Sequence, residues 1–440
     1  MLEKSFDLYR GRRNRFVELV KQEFSTHNSG TILLFGSCEQ ERVPFRQEGS
    51  FYYLTGLLEP GLILAIDFSG ASTLFIPKYK EDRSKWMDPD ALEPSGESAD
   101  KIGVDETVYL GHDRHGYSAS YFFEKENYEN LISFLKTRVS KKEPIFTLFP
   151  SWTYSIAGQR LLLEAINKFV PGFLPCCKNV LPIVSSMRRV KDKIEMEHMY
   201  EAMMITGLAH EAAASMVKAG NTEQKIRAGI EFVFAESGAR PAFESIVASG
   251  KNATVLHSAS SLKELQKKEL VVVDIGAEKN FYCADITRTY PVSGKFLKRQ
   301  KDLYTAVLDT QEYVAEIAKP GMWLINKDNP KQSLHNLAVE FLEARGLAKY
   351  FIHGIGHFLG LDPHDVGDYK EPLKEGDVIT IEPGVYIPKE ELGIRIEDNY
   401  WITSDSAICV SQDIPKSIGD IEEIVGKDLV FVEDDEDEIF

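Results

Sequence analysis

The sequence predicts a two-domain protein of the α/β class. Three observations lead to this prediction: 440 residues exceed one ordinary core, short apolar runs alternate with helical patterns, and a proline-containing stretch interrupts them near residue 183. Hydrophobic residues make up 43% of the chain and charged residues 27%, as is typical of globular proteins. We therefore expect an N-terminal domain over residues 1–182, a second domain over 183–425 and a tail over 426–440.

The N-terminal domain is expected to combine an early helix with several buried strands. Residues 13–24 place Phe16, Val17 and Val20 on one face, a spacing that indicates a helix. The runs TILLFGS, LILAIDFSG and STLFIPK are short and apolar, which favours strands. The later stretch FLPCCKNVLPIVSSMRR contains prolines and no sustained period, so we place the domain boundary there.

The second domain opens with a long helical pattern, RRVKDKIEMEHMYEAMMITGLAHEAAASMVKAG. A second helix is expected to open at Asn221, with Gln224 three residues later as in a capping box. Apolar residues then recur at helical spacing, at Ile226, Ile230 and Val233. Beyond them, helices alternate with strands to about residue 412.

The charge and the cysteines exclude several classes of protein. The formal net charge is -17, and the final EDDEDEIF is an acidic run that we expect to be solvated. General nucleic-acid binding needs a basic surface, so we expect no nucleic-acid partner. Five cysteines, of which only Cys176 and Cys177 are adjacent, do not form a secreted disulfide framework. Because no signal peptide or bilayer-spanning run is recognisable, the sequence predicts a cytoplasmic protein without a membrane partner.

Two similar segments of the second domain each carry two acidic residues. KKELVVVDIGA and KEGDVITIEPG both give charged residues, an apolar strand, a carboxylate and then a glycine two positions later. Each segment is followed by another strand with its own acid: FYCADITRT brings Asp285 after Asp274, and GIRIEDN brings Glu397 after Glu382. A single acid at a strand end is as often a loop cap as a functional group. If the two hairpins meet, however, four carboxylates converge and need cations to offset their repulsion.

The stretch HGIGHFLGLDPHDVG brings His353, His357 and His364 into twelve residues. An isolated histidine in an apolar run is more often a satisfied core residue than a ligand. The interspersed glycines disfavour a helix and indicate a strand or loop whose backbone approaches something closely. Carboxylates together with imidazole suit divalent transition ions, and the excess of carboxylates favours Mn²⁺ over Zn²⁺. The shortage of neutral ligands suggests two ions that share bridging carboxylates.

Several of these segments together resemble the metallopeptidases with the pita-bread fold, specifically the aminopeptidase P and prolidase branch of Xaa-Pro peptidases. VVVDIGAEKNFYCADITRTYPVSGKF, HGIGHFLGLDPHDVG, TIEPGVYIP and GIRIEDN are similar to the family's signatures in order and spacing. FRQEGSFYYLTGLLEPG resembles its N-terminal domain, so the resemblance covers nearly the whole chain. It implies an N-terminal α/β domain followed by a pita-bread catalytic domain with pseudo-two-fold symmetry.

The resemblance also implies roles for individual residues. It assigns five ligands to a centre of two divalent ions, expected to be Mn²⁺ with Co²⁺, Fe²⁺ or Zn²⁺ as alternatives: Asp274, Asp285, His357, Glu382 and Glu397. In this scheme Asp285 and Glu397 bridge both ions, and Glu382 also shuttles a proton from the attacking water. The resemblance places three histidines in the substrate pocket and an arginine beside the metals: His257, His353, His364 and Arg395. His364 is expected to help stabilise the oxyanion.

The implied activity is release of the N-terminal residue from peptides with proline in the second position. Residues 365–380 lack the arginine-containing insertion of dipeptide-specific prolidases, which favours longer peptides and leaves an Xaa-Pro dipeptidase as the alternative. The alternative of another class is a non-catalytic binding module, which has no physical reason to keep uncompensated acids. Phe243 stands where the family often has tyrosine. Trp86 resembles a tryptophan of oligomeric family members, so a homo-oligomer, dimer or tetramer, is expected.

Overall fold

The structure is a computed structural model that describes residues 6–427 apart from 41–42, 81–82, 88–91, 115, 117, 120–123 and 150–153. The acidic run that ends the chain therefore lies outside the described residues. Among the described residues, no helix combines the length and the apolar character that crossing a membrane requires.

The contacts divide the chain into two compact units, residues 1–188 and 189–440. The sequence suggested a boundary near residue 183, in a stretch without a sustained period. The structure instead has a helix there, Leu181–Arg189. This helix accommodates Pro182 in its first turn, where the missing N–H has no helical acceptor to lose.

The N-terminal unit is built on a mixed sheet. Its six strands are β1 (Thr31–Phe35), β2 (Ile63–Asp67), β3 (Ser72–Ile76), β4 (Glu106–Tyr109), β5 (Ile145–Thr147) and β6 (Cys177–Asn179). They lie in the order β4-β3-β2-β1-β5-β6, and β1 pairs antiparallel with β2 and parallel with β5. The three apolar runs predicted as strands contain β1, β2 and β3, which are almost entirely buried.

Helices complete this unit: α1 (Phe6–Glu23), α2 (Gly49–Thr55), α3 (Gly96–Ile102), α4 (Glu129–Ser140), α5 (Tyr154–Phe169), α6 (Phe173–Cys176) and α7 (Leu181–Arg189), with 3₁₀ turns at Arg83–Lys85 and Lys125–Tyr128. Helix α1 begins earlier than the expected residue 13. Its first half carries charged residues that the pattern does not recognise as buried. Arg12, in the part of the helix that the pattern missed, is buried and donates from Nη1 to the carbonyl of Tyr53 at 3.4 Å.

The second unit alternates helices with small antiparallel sheets. Its helices are α8 (Lys193–Met216), α9 (Glu223–Glu236), α10 (Lys298–Ile317), α11 (Leu334–Glu343) and α12 (Ile418–Ile424), with 3₁₀ turns at Asn252–Thr254, Pro330–Gln332 and Ala348–Tyr350. The expected start of the second helix is wrong by one position. Thr222, not Asn221, is the N-cap, because its side chain accepts from the amide of Lys225. Asn221 instead donates its side-chain amide to the carbonyl of Met216.

The strands of this unit are β7 (Arg240–Pro241), β8 (Ile246–Ser249), β9 (Leu270–Ile275), β10 (Ala277–Lys279), β11 (Tyr282–Cys283), β12 (Ile286–Pro291), β13 (Val378–Ile381), β14 (Gly384–Ile387), β15 (Leu392–Arg395), β16 (Asp398–Ile402) and β17 (Ala407–Cys409). Two antiparallel pairs matter most for the site, β9 with β12 and β13 with β16. The apolar runs at β9 and β13 are completely buried, as the sequence predicted.

The two strand pairs place their acids at the same end. Asp274 lies in β9 and Asp285 directly precedes β12, while Glu382 directly follows β13 and Glu397 directly precedes β16. The pairs meet at the bridge between Thr287 and Glu397, where the Glu397 amide donates to the Thr287 carbonyl at 3.1 Å. This matching placement agrees with the pseudo-two-fold symmetry that the resemblance implied.

The histidine-rich stretch runs beside β13. His357 and Thr380 are joined in both directions: the His357 amide donates to the Thr380 hydroxyl at 3.1 Å, and the Thr380 amide donates to the His357 carbonyl at 2.9 Å. A Cβ on Gly356 would lie 1.9 Å from the Thr380 carbonyl oxygen, so only glycine fits there. The predicted close backbone approach is confirmed at this position.

Candidate functional site

One cavity of about 780 Å³ in the second unit collects the residues singled out in the sequence. All of the predicted ligands and pocket residues line it: His257, Asp274, Asp285, His353, His357, His364, Glu382, Arg395 and Glu397. Its remaining wall is largely apolar and includes Phe243, where the family resemblance suggested a tyrosine. No hydroxyl is therefore available from that side chain.

His357 lies at the centre of the acidic residues. Its Nε2 is 3.4 Å from Asp285 Oδ2, 3.6 Å from Glu382 Oε1 and 3.9 Å from Glu397 Oε1. Its Nδ1 is 3.1 Å from the carbonyl of Phe358, so a proton on Nδ1 leaves Nε2 available to a ligand. Asp285, His357 and Glu397 each offer one ligand atom within 4.8 Å of the others, close enough to hold one metal ion.

Asp274 is connected to this group through a buried arginine. Arg395 Nη2 donates to Asp274 Oδ2 at 2.6 Å, and Arg395 Nε donates to the Thr287 hydroxyl at 3.1 Å. That hydroxyl in turn donates to Glu397 Oε2 at 2.7 Å. Asp274 Oδ1 is buried and has no hydrogen-bond partner. A buried carboxylate oxygen without a donor is costly unless a cation occupies its other side.

The electrostatics of the group call for positive charge. Burial raises the pKa of Asp285 to about 7 and also raises the pKa values of Glu382 and Glu397. Burial alone lowers the pKa of His357, but its bond to Asp285 and the surrounding carboxylates outweigh burial and raise that pKa to about 9. Divalent cations would relieve this repulsion and satisfy the unpartnered oxygen. The residues present therefore fit a divalent metal site.

The expected pocket histidines have different surroundings. His353 is fixed at both ring nitrogens, with Nδ1 2.8 Å from the carbonyl of Gly354 and Nε2 3.0 Å from the hydroxyl of Tyr386. Burial and the charge of Arg395 lower the pKa of His353 to about 4, so its ring is neutral at pH 7. The ring of His364 stacks on that of His357 with 3.9 Å between centroids. His257 is exposed and borders the cavity.

Sequence reasoning missed two neutral residues that organise the site. Thr287 links Arg395 to Glu397, and Tyr386 accepts from Arg395 Nη1 at 2.8 Å while contacting His353. The pairing register could have found Thr287, because it lies opposite Asp274 across the hairpin. Tyr386 gave no comparable signal, since a tyrosine in a buried strand is common on packing grounds alone.

Comparison with known proteins agrees with this arrangement. The sequence-family model of the aminopeptidase P N-terminal domain matches residues 9–115. The sequence-family model of metallopeptidase family M24 matches residues 197–404. Human Xaa-Pro aminopeptidase 3 is 31% identical in an alignment that covers 94% of this chain and 85% of the relative. The Xaa-Pro dipeptidase of Pyrococcus furiosus is 39% identical, but its alignment covers 52% of this chain and 65% of the relative.

The fold is similar as well. The structure of Escherichia coli aminopeptidase P with the inhibitor Pro-Leu superposes with a TM-score of 0.79 at 25% identity, covering 96% of this chain and 98% of that one. The predicted α/β class and the predicted order of the two domains are thereby confirmed. The chain belongs to the aminopeptidase P family of the M24 metallopeptidases.

Proposed function

We propose that this protein is an Xaa-Pro aminopeptidase, a hydrolase that releases the N-terminal residue from peptides with proline in the second position. The observation that carries the proposal is the convergence of four acids and His357 in one cavity, with a buried oxygen of Asp274 left without a donor. A family relative over nearly the whole chain is named Xaa-Pro aminopeptidase 3, which agrees with this activity.

Two divalent ions, Mn²⁺ by preference, complete the proposed centre. Asp274 would contribute to one ion, His357 and Glu382 to the other, and Asp285 and Glu397 to both. The excess of carboxylates over imidazole favours Mn²⁺, with Co²⁺, Fe²⁺ or Zn²⁺ as alternatives. When bound, such ions supply Lewis-acid activation of a water molecule and of the scissile carbonyl.

The protein's own residues then manage the protons and the developing charge. Glu382 is the general base, and its carboxylate takes a proton from the attacking water and returns it to the proline nitrogen as the C–N bond breaks. His364 borders the same cavity and can donate an N–H to the carbonyl oxygen as negative charge develops there. The water oxygen bonds to the carbonyl carbon while the C–N bond breaks. The products are the released residue with a new carboxylate and a peptide with a free proline amine, so the atoms of the water are all accounted for.

A proline after the scissile bond explains why a dedicated enzyme is needed. The Xaa-Pro amide is tertiary and has no N–H, so a site cannot orient it through that donor. In the described cavity, orientation can come from the apolar wall and from His353, whose ring is held rigidly by Tyr386 and Gly354.

Glu382→Gln tests the mechanism directly. Loss of the base should reduce turnover of an Xaa-Pro-Yaa peptide by about 10² to 10⁴-fold while the melting temperature stays close to that of the wild type. Glu390→Gln is a suitable control, because Glu390 pairs with Arg299 on the surface. Full activity of Glu382→Gln in Mn²⁺-loaded protein would contradict the assigned role.

The second candidate is an Xaa-Pro dipeptidase, favoured by the 39% identity with the Pyrococcus furiosus dipeptidase over part of the chain. Cleavage of Gly-Pro and of Gly-Pro-Yaa at equal concentration separates the two activities. We expect the longer peptide to be cleaved at least tenfold faster, because residues 365–380 offer no arginine to a dipeptide's carboxylate. A preference for Gly-Pro would make the protein a dipeptidase.

A non-catalytic binding module is the remaining alternative, and metal content distinguishes it. The proposed enzyme should retain close to two Mn²⁺ per chain after reconstitution and desalting. Protein that retains no metal and cleaves neither peptide would support the binding module instead.

The proposal also keeps the expected cytoplasmic location and homo-oligomeric state. All five cysteines are free thiols, which agrees with a reducing compartment.

Trp86 is 60% exposed, which agrees with a contact to another subunit. Light scattering should give a dimer or tetramer, and Trp86→Ala should shift it towards smaller species. An unchanged assembly in that variant would remove Trp86 from the interface.

A further inference from the structure

Glu223 is a fully buried acid to which the proposed mechanism gives no role. It is the first residue of α9, directly after the N-cap Thr222, and it has no solvent-exposed surface. A carboxylate at a helix N-terminus is favoured by the helix dipole, but burial still requires its oxygens to be satisfied. Neutral donors from one loop satisfy them.

One carboxylate oxygen holds the beginning of that loop. Glu223 Oε1 accepts from the Ser249 amide at 2.8 Å, from the Ser249 hydroxyl at 2.8 Å and from Asn252 Nδ2 at 3.0 Å. Ser249 is the last residue of β8, so this contact fixes the point at which the chain leaves the sheet. Lys263 Nζ donates to the same Ser249 hydroxyl at 2.8 Å.

The other oxygen holds the end of the loop. Glu223 Oε2 accepts from the Ser261 amide at 3.0 Å and from the Ser261 hydroxyl at 2.7 Å, and Asn252 Nδ2 lies 3.2 Å from it. The next residue of the helix, Gln224, donates its amide to the Ser261 carbonyl at 3.0 Å. One side chain therefore joins two positions that are twelve residues apart in the chain.

The loop between these positions carries part of the cavity wall. Residues 256–259 line the cavity, and His257 is among them. The loop has little apolar anchoring of its own: Ala253 is buried, but Val255 is 55% exposed and Leu262, just beyond Ser261, is 80% exposed. The turn at Asn252–Thr254 packs next to Gly393 of β15, but residues 255–261 have no comparable apolar anchor, so their course depends largely on the polar contacts at the two ends of the loop.

We propose that Glu223 is a positioning residue that closes residues 249–261 into a loop of fixed shape and thereby holds His257 at the cavity. The loop is closed only if both side-chain oxygens of residue 223 accept hydrogen bonds, because Ser249, Asn252 and Ser261 all act as donors to them. A glutamine has the same shape, but its NH₂ group would face either the Ser249 donors or the Ser261 donors. That substitution should release one end of the loop while keeping the packing volume.

Amide hydrogen exchange in Glu223→Gln tests the loop closure without using activity. We expect the amides of residues 249–261 to exchange at least tenfold faster than in the wild type, whereas those of β9 and β12 stay unchanged. The control is Glu278→Gln, which removes another buried acid of the same unit. Glu278 Oε1 accepts from Arg240 Nε at 3.0 Å. Unchanged exchange over 249–261 in Glu223→Gln would overturn the proposal.

A kinetic cycle tests the consequence for the site, and this part rests on the proposed function. Glu223→Gln should lower kcat/KM for an Xaa-Pro-Yaa peptide at least tenfold in the wild-type background, but less than twofold in a His257→Ala background. An equal loss in both backgrounds would show that Glu223 acts by general destabilisation. If the wild type cleaves no such peptide, the proposed function fails while the exchange result still decides the role of Glu223.

Milder variants cover the case in which Glu223→Gln does not fold. Ser261→Ala removes one hydroxyl donor and leaves the carboxylate paired, so the protein should fold and exchange faster over residues 256–261. Ser215→Ala is its control, because the Ser215 hydroxyl bonds within α8 to the carbonyl of Ala212. Equal exchange in the two serine variants would refute loop closure by Glu223.

Discussion

Arg395 shows how single residues make the acidic centre tolerable. Its guanidinium reaches Asp274, Thr287 and Tyr386 through three different nitrogens, at 2.6, 3.1 and 2.8 Å. The arginine is itself buried, so it supplies one fixed positive charge that is present whether or not metal is bound. It thus offsets part of the repulsion and orients Asp274 towards the cavity.

We predict that Arg395→Lys destabilises the protein by about 2–4 kcal/mol, because one ammonium cannot reach the three partners and leaves buried polar groups unpaired. Urea unfolding of the metal-free protein measures this change. The matched control is Arg299→Lys, whose partner Glu390 is exposed and whose effect should stay below about 1 kcal/mol. Equal effects of the two variants would contradict the role given to Arg395.

The residue scale also shows which parts of the site a sequence can reveal. The four acids could be proposed from the sequence because charge at the end of an apolar strand conflicts with burial, and that conflict is visible locally. His357 could be separated from His353 and His364 only through the resemblance to the family. The same local reasoning could not predict the roles of Thr287, Tyr386 and Glu223. Threonine and tyrosine suit a buried strand for packing reasons, and the partners of Glu223 lie at positions 249–261, which local patterns do not connect to it.

At the scale of elements, His210 joins α8 to β12. Its Nε2 is 3.0 Å from the carbonyl of Ile286, and its Nδ1 is 3.1 Å from the hydroxyl of Tyr290. Both contacts suit a neutral ring that donates from Nε2 and accepts at Nδ1. Burial, followed by the charge of Arg288, lowers the pKa of His210 to about 3.

This contact should make stability fall in mild acid. A histidine in the unfolded chain has a pKa near 6.5. Below that pH the unfolded state therefore binds one more proton than the folded state, in which His210 stays neutral. The free energy of unfolding should therefore decrease by up to about 1.4 kcal/mol per pH unit between about pH 6 and 4 from this group alone. His210→Gln should unfold with a shallower pH dependence in urea titrations, and identical slopes would contradict the assignment.

Elements were predictable where their pattern was long. The strands around β9 and β13 and the helix α8 follow from extended apolar runs or sustained periodicity. The helix start at Thr222 and the helix Leu181–Arg189 were not recognised, because each depends on one local detail, a hydroxyl cap or a proline in the first turn. Such details change an element's limits without changing the hydrophobic pattern.

At the scale of the whole molecule, the proposed metal centre joins distant parts of the second unit. Four of its proposed ligands lie in or next to the two strand pairs, which meet at Thr287 and Glu397, and the fifth, His357, comes from the stretch beside β13. The unfolded chain cannot hold these ligands together, so metal binding should stabilise the folded state selectively.

We predict that Mn²⁺ raises the melting temperature of chelator-treated protein by about 5–10 °C when present at about 100 times its dissociation constant. That concentration adds about 2.7 kcal/mol for one site. Glu397→Gln should lose most of the shift, because Glu397 is proposed to bridge both ions. An equal shift in Glu397→Gln would place the stabilising metal elsewhere.

The acidic end of the chain should be dispensable for turnover. Every proposed site residue precedes residue 398, and a run of like charges is expected to stay solvated. Protein lacking residues 432–440 should therefore cleave an Xaa-Pro-Yaa peptide within about twofold of the full chain, a margin well below 1 kcal/mol. A larger loss would give that segment a function in the enzyme.

The bridge between Thr287 and Glu397 has a consequence for the order of events during maturation. Before it forms, each strand pair presents only two acids, and two carboxylates hold Mn²⁺ far more weakly than five ligands. The ion should therefore be captured last, after both halves of the unit have docked. A chain in which only one strand pair has formed would therefore bind divalent metal weakly, and metal uptake during refolding would report that both pairs have docked.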